Sequence, residues 1–195
     1  MFILYALVLA LVTGLVAGGR LMALADLRLR WAPLILFGFL SQIVLFSDAV
    51  AARVGDAGPV LYVVSTLCVG AAVVRNLTLP GLPLIVLGAV SNMAAILANG
   101  GYMPATAEAL ASLGKTAPTI YSNSAVVAAP ALAPLIDRFA LPRWLPFANV
   151  FSIGDVLLAI GIFVLIVTAM RRSPSEPVRS PADPPSPSAQ SPQSA

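Results

Sequence analysis

The chain has 195 residues, of which 59% are apolar (AVILMFWYC) and only 10% charged, and its formal net charge is +3. Soluble domains carry about 25% charged residues, so the composition excludes an ordinary soluble globular protein. There is no His and a single Cys, Cys68, which excludes imidazole-based zinc sites, Ser-His and Cys-His catalytic pairs, and any internal disulfide. The few positive charges are spread over loops and form no stripe, which argues against a nucleic-acid partner.

A membrane-crossing helix needs roughly 20 mainly apolar residues, within a range of about 17–25. Five stretches approach that length. In chain order they are 2–18, with Thr13 inside it; 31–47, beginning at Trp31 and holding Ser41 and Gln42; 59–74, opening on Pro59; 81–98, holding Ser91 and Asn92; and 151–170, with Asp155 near its start. Pro33, Pro59 and Pro83 all fall in the first turn of their stretches, where the missing N–H would have had no helical partner anyway. The expected fold is therefore all-α: a polytopic transmembrane helix bundle of about five spans occupying residues 1–172. The first stretch reads as a retained helix and not a signal peptide. No Lys or Arg precedes it, and Arg20 separates it from the small residues Ala23-Leu24-Ala25.

A sixth apolar stretch, 124–136, is too short to cross and is interrupted by Pro130 and Pro134. A re-entrant or interfacial segment is expected there. From Ser173 to Ala195 the character changes, with 7 Pro and 7 Ser in 23 residues. Such a segment cannot bury enough surface to offset its ordering entropy, so a disordered tail is expected.

Lys and Arg near span ends set orientation. Arg20, Arg28, Arg30, Arg75, Arg171 and Arg172 share one side of an alternating five-helix chain. The other side has Arg53 in a short loop and Lys115, Arg138 and Arg143 in a long one, which counts for less. This places the N-terminus outside and the C-terminus in the cytoplasm.

With that topology the polar residues gather toward the outer face. Asn92 and Asn99 are seven apart and share a helical stripe. Ser152 and Asp155 are three apart, which suits a capping box at the start of the fifth span as well as a functional acid. For Gln42 and Asn92, interhelical hydrogen bonding is the favoured reading. Asn99-Gly100-Gly101-Tyr102-Met103-Pro104 fits either a helix stop or a close backbone approach to a ligand. Asp137-Arg138 reads as a solvated surface pair. It becomes a catalytic candidate only if Asp137 meets Asp155, since two carboxylates brought together can share a proton and activate water.

The motifs Asn99-Gly-Gly-x-Met-Pro104 and Phe151-Ser-Ile-Gly-Asp155 with Gly161 resemble those of a family of small bacterial multi-pass membrane proteins of unknown function. The likeness covers roughly residues 1–172 and implies a protein of the bacterial inner membrane. A fainter likeness is to bacterial lipoprotein signal peptidase, an intramembrane aspartyl protease. The stretches that resemble it are Asn99-Gly100-Gly101, Ala133 to Arg138, and Phe151 to Asp155 with Gly161. This second resemblance implies Asp137 and Asp155 as a dyad and Asn99 as an auxiliary polar contact. The sequence departs from that pattern where Pro134 and Ser152 replace the Asn before each Asp.

The leading expectation is a non-catalytic inner-membrane protein of unknown biochemical role that interacts with membrane proteins or handles a small ligand. Its outer-face cluster would comprise Asn92, Asn99, Gly100, Gly101, Pro104, Ser152 and Asp155, with no cofactor and no metal. The expected partners are the lipid bilayer and other membrane proteins, or a second copy in a homodimer. The alternatives are an intramembrane aspartyl peptidase using Asp137 and Asp155, and a small transporter subunit. Against the transporter stand the lack of an internal repeat and of an acid or base at mid-depth. The topology is checked by fusing a reporter enzyme that is active only in the cytoplasm. Fusions after Met170 or Ala195 should be active and a fusion at Lys115 silent; the reverse pattern overturns the orientation.

Overall fold

The computed structural model describes residues 2–55, 57–114, 124–125 and 129–172. Lys115 and the tail 173–195 lie outside the described residues. Among those described the chain is mostly helical. Its helices are α1 (Phe2–Val16), α2 (Ala32–Leu45), α3 (Asp48–Val54), α4 (Ala57–Val74), α5 (Leu82–Ala98), α6 (Ala107–Ser112) and α7 (Ile153–Met170). Each long apolar stretch of the sequence matches one of the five longer helices with ends within two residues, α4 starting at Ala57, ahead of the 59–74 stretch. Pro33 and Pro83 sit in the first turns of α2 and α5.

Two helices, α4 and α7, are 18 residues long and apolar enough to cross a membrane by length and composition; α1, α2 and α5 are apolar but shorter. At 1.5 Å per residue, 18 residues span about 27 Å, close to the ~30 Å of a hydrocarbon core. The shortening of α1 has a local cause. Gly18 turns the chain at φ 77°, Gly19 N–H returns to Gly14 C=O (2.8 Å), and Arg20 N–H reaches the Met170 carbonyl at the end of α7 (2.8 Å). The second helix stops at Leu45, and Ser47, in extended conformation, starts the short α3.

The helices pack in the order α1–α7–α5–α4–α2. A small core of Ala95, Ile96 and Met103 is covered by Tyr62, Val63 and Leu135. Much of the rest is apolar surface. On α2, Leu36, Phe37, Phe39, Leu40, Ile43 and Val44 are each more than half exposed. A helix that is apolar on its outer face cannot be a surface helix of a water-soluble domain without a covering partner. Gln42 makes the interhelical contact expected of it, its Nε2 donating to Thr66 Oγ1 (3.1 Å) and Ser65 Oγ (3.3 Å) on α4.

The loops that join α5 to α7 carry short strand pairs. β1 (Met103–Pro104) pairs in parallel with β2 (Ser124–Ala125), and Ala105 bridges to Asp137 beside it. β3 (Phe139–Ala140) pairs antiparallel with β4 (Val150–Phe151). Within 124–136, the described residues form β2 and a single 3-10 turn, Ala133–Leu135; residues 126–128 lie outside the described set.

At the opposite end Asn76 is buried and ties the first loop to α4. Its Nδ2 donates to the carbonyls of Arg30 (2.8 Å) and Ala72 (2.7 Å), and its Oδ1 accepts from Arg30 N–H (2.8 Å). Asn76→Leu keeps the branched shape but strands both backbone groups of Arg30. It should destabilise the fold by about 1–3 kcal/mol, read as a lower melting temperature of the detergent-solubilised protein. An unchanged melt would show that the lock is not structural.

Candidate functional site

The polar groups of α5 and α7 converge at one point. Ser152 is the N-cap of α7 and Asp155 its third residue, and the two form a reciprocal capping box. Asp155 N–H donates to Ser152 Oγ (3.1 Å), and Ser152 N–H donates to Asp155 Oδ2 (2.9 Å). The capping role read from the Ser-x-x-Asp spacing is thus present. Asn92 completes the cluster from α5: its Nδ2 donates to Asp155 Oδ1 (2.9 Å), and its Oδ1 accepts from Ser152 Oγ (2.8 Å). Ser152 is fully buried. Asn92 therefore does more than join two helices, because it orients the carboxylate that caps one of them.

Asp137 is the second acid, and the surface setting expected for it is wrong. Its residue is only 7% exposed, while Arg138 next to it points into solvent. The cause is backbone pairing. Asp137 N–H donates to Pro104 C=O (2.9 Å), and Thr106 N–H donates to Asp137 C=O (2.9 Å), so the segment after β1 draws the acid inward. Burial, and secondarily the repulsion of Asp155, raise its pKa from 3.8 to about 7. The two carboxyls thus lie near enough to repel, yet among the described residues no hydrogen bond joins them.

The Asn-Gly-Gly-x-Met-Pro motif is the scaffold for this acid. Asn99 pins the loop that leads to Asp137: its Nδ2 donates to Ala131 C=O (3.0 Å) and its Oδ1 accepts from Ala131 N–H (2.9 Å). Gly101 has φ +91°, and a Cβ there would run into Pro59 of α4, so its close approach is to the protein itself. Gly100 also has positive φ but meets nothing nearby. Pro104 is fully buried and acts through its carbonyl. Of the expected cluster, the structure joins Asn92, Ser152 and Asp155 directly. Asn99 and Pro104 serve Asp137, Gly101 packs against Pro59 of α4, and Gln42 belongs to the separate α2–α4 contact.

Thr106 escaped notice in the sequence. It caps α6, its Oγ1 accepting from Ala109 N–H (3.2 Å), while its own N–H holds Asp137. The signal was there, a Thr directly before Ala-Glu-Ala-Leu. Among the described residues no group of three or more His, Cys, Asp or Glu is placed to hold a metal.

These features define a helical bundle with two acids at one end: Asp155, half-buried and held in the capping box, and Asp137, buried and without a hydrogen-bond donor for its carboxyl among the described residues. The chain belongs to a family of unknown function, DUF5317, which matches residues 26–167 and so includes the whole site. No curated protein and no solved structure matches the chain.

The raised pKa of Asp137 makes stability depend on pH with a definite sign. Between pH 3.8 and about 7 the folded protein holds a proton that the unfolded chain has lost. Stability must therefore fall as pH rises through that window and level off above it, the full cost being on the order of 4 kcal/mol at 1.36 kcal/mol per unit. Melting in detergent should be higher at pH 5 than at pH 8. Asp137→Asn, which mimics the neutral acid, should remove most of the difference; equal pH profiles for the two proteins would contradict the assignment.

Proposed function

We propose that this chain is a non-catalytic multi-pass protein of the bacterial inner membrane, with its N-terminus outside. We further propose that it handles a small ligand at the outer face, where Asp137 and Asp155 meet. The membrane reading is supported by the two long apolar helices and by the exposed apolar surface of α2. The observation that carries the ligand reading is the burial of Asp137 beside Asp155. A carboxyl that is desolvated, repelled and without a donor is costly to ionise unless a cation comes to it. The ligand class that suits it is small and presents a hydrogen-bond-donating cation, such as a protonated amine. Asn92, Ser152 and the α7 N-terminus hold Asp155 in place, and the Asn99–Pro104 segment with Thr106 holds Asp137.

The second reading is the aspartyl peptidase, favoured by the proximity of the two acids. Two features weigh against it. The carboxyls share no hydrogen bond among the described residues, and Asp155 already accepts at both oxygens, from Asn92 Nδ2 at Oδ1 and from Ser152 N–H at Oδ2. A general base needs an unengaged oxygen facing its water.

The test uses the full chain in lipid nanodiscs and a series of primary alkylamines. At pH 8 an amine that binds should raise the melting temperature; saturation at 100 times Kd corresponds to about 2.7 kcal/mol. The shift should shrink at pH 5, where Asp137 is neutral, and vanish in a folded Asp137→Asn protein. No shift with any amine would reject the cation reading. Cleavage of a lipidated precursor peptide by the native protein, lost in both Asp137→Asn and Asp155→Asn, would establish the peptidase instead.

A further inference from the structure

The two acids stand at the two ends of one hairpin. Asp137 lies two residues before β3, and Ser152 follows β4 directly. The loop between the strands, 141–149, begins Leu141-Pro-Arg-Trp-Leu-Pro-Phe-Ala148 and has no acid and one cation, Arg143. Its two large aromatic residues are turned outward: Trp144 is 80% exposed and Phe147 68%. The exposure is built in. Leu141 N–H bonds Asn149 C=O (3.1 Å), Leu145 N–H bonds Pro142 C=O (3.0 Å), and Ala148 N–H bonds Leu145 C=O (3.3 Å). Phe147 takes a φ of +56°, which is costly for an aromatic residue and persists only where the surroundings enforce it.

The loop is also fastened at a definite height. The Tyr5 hydroxyl donates to the Pro146 carbonyl. The Phe2 ring stacks on Phe151 (4.2 Å between centroids, 5° between planes), and Phe139 stacks on Phe151 from the hairpin (5.5 Å). These contacts set the tip beside the first turn of α1. Directly after Tyr5 the apolar surface of α1 opens, with Val8, Leu9 and Val12 each more than half exposed. A bilayer covering Val8 and Leu9 reaches its boundary about one helical turn, ~5.4 Å, away, at the level of Tyr5 and the loop. Tyr and Trp rings favour that level. Arg143 lies over the turn at Gly114, and among the described residues no carboxylate pairs with it.

We propose that the 141–149 loop is a lipid-binding arm that seats Trp144 and Phe147 at the headgroup boundary of the outer leaflet and offers Arg143 to the phosphates of anionic phospholipid. This inference rests on the reading that the bundle sits in a membrane. It adds a lipid contact on the hairpin that the two acids flank in sequence.

The chain has two tryptophans, Trp31 and Trp144. Trp31→Phe in liposomes of phosphatidylcholine and phosphatidylglycerol therefore reports Trp144 alone. Lipids brominated just below the headgroup should quench it roughly twofold more than lipids brominated near the chain ends, as befits an interfacial ring. Aqueous iodide should quench it little. Raising the phosphatidylglycerol fraction should deepen the quenching, and Arg143→Gln should abolish that gain. If Trp31→Phe does not fold, the difference between the native protein and Trp144→Phe isolates the same signal. A protein that floats with the liposomes while Trp144 is open to iodide and untouched by bromine overturns the arm and leaves the membrane reading standing. Shielding from both quenchers means that protein covers the loop, which also overturns it. Failure to float at all removes the membrane reading and the arm together.

Discussion

The polar end of the bundle depends on how closely α5 and α7 approach. Gly81 and Gly88 on one helix face Gly161 and Gly154 on the other. A Cβ at Gly88 would lie 2.5 Å from the Gly154 carbonyl oxygen, and one at Gly161 would lie 2.7 Å from that of Gly81. Both pairs repeat at seven residues and so form one seam. Small residues let backbones touch, and dispersion across such a seam is a main source of helix attraction where water does not drive association. The site follows from the seam. Asn92 is one turn beyond Gly88, and its amide oxygen lies where a Cβ of residue 154 would stand. Only with glycine at that position can one amide reach both Ser152 and Asp155.

Asp137 is held by different means. Its position comes from a backbone ladder that starts at the end of α5 and runs through Pro104 and Thr106, with Asn99 fixing the approach at Ala131. Two like charges in a poorly solvated place repel, so they stay close only when each is anchored independently. One anchor is helix packing and the other is strand-like pairing. That the protein tolerates the repulsion is the main physical reason to look for function here. Perturbed acids cluster at functional sites, although structural networks also produce them.

Much of the helical content was legible because the apolar runs are long and the prolines sit at their starts. The true ends were less so. The stop of α1 depends on the turn at Gly18 and a bond to Met170, the far end of the chain's last helix. The short α3 has seven residues, too few for a periodic signal. The Asp155 cap was legible because its partner is three residues away. The burial of Asp137 was not, because it arises from pairing with residues more than thirty positions earlier, and the neighbouring Arg138 suggested an exposed pair. Asn76 went unnoticed because an isolated Asn at a helix end looks like an ordinary stop.

The donor inventory narrows what the site can hold. A divalent cation such as calcium takes about six to eight oxygen ligands, and even magnesium demands an octahedral set. Here the Asp155 oxygens already accept from two donors, the Asn92 oxygen from the Ser152 hydroxyl, and the Asp137 carbonyl from Thr106. Among the described residues the acceptor left over is the Asp137 carboxyl, backed by the charge of Asp155. On the proposed reading, one carboxylate with a second negative charge behind it suits a single hydrogen-bonding cation, because such a ligand needs few contacts and brings the donor that the described residues do not supply. The same arrangement explains why the acid is neutral when alone at moderate pH: a proton is the smallest ligand that satisfies it.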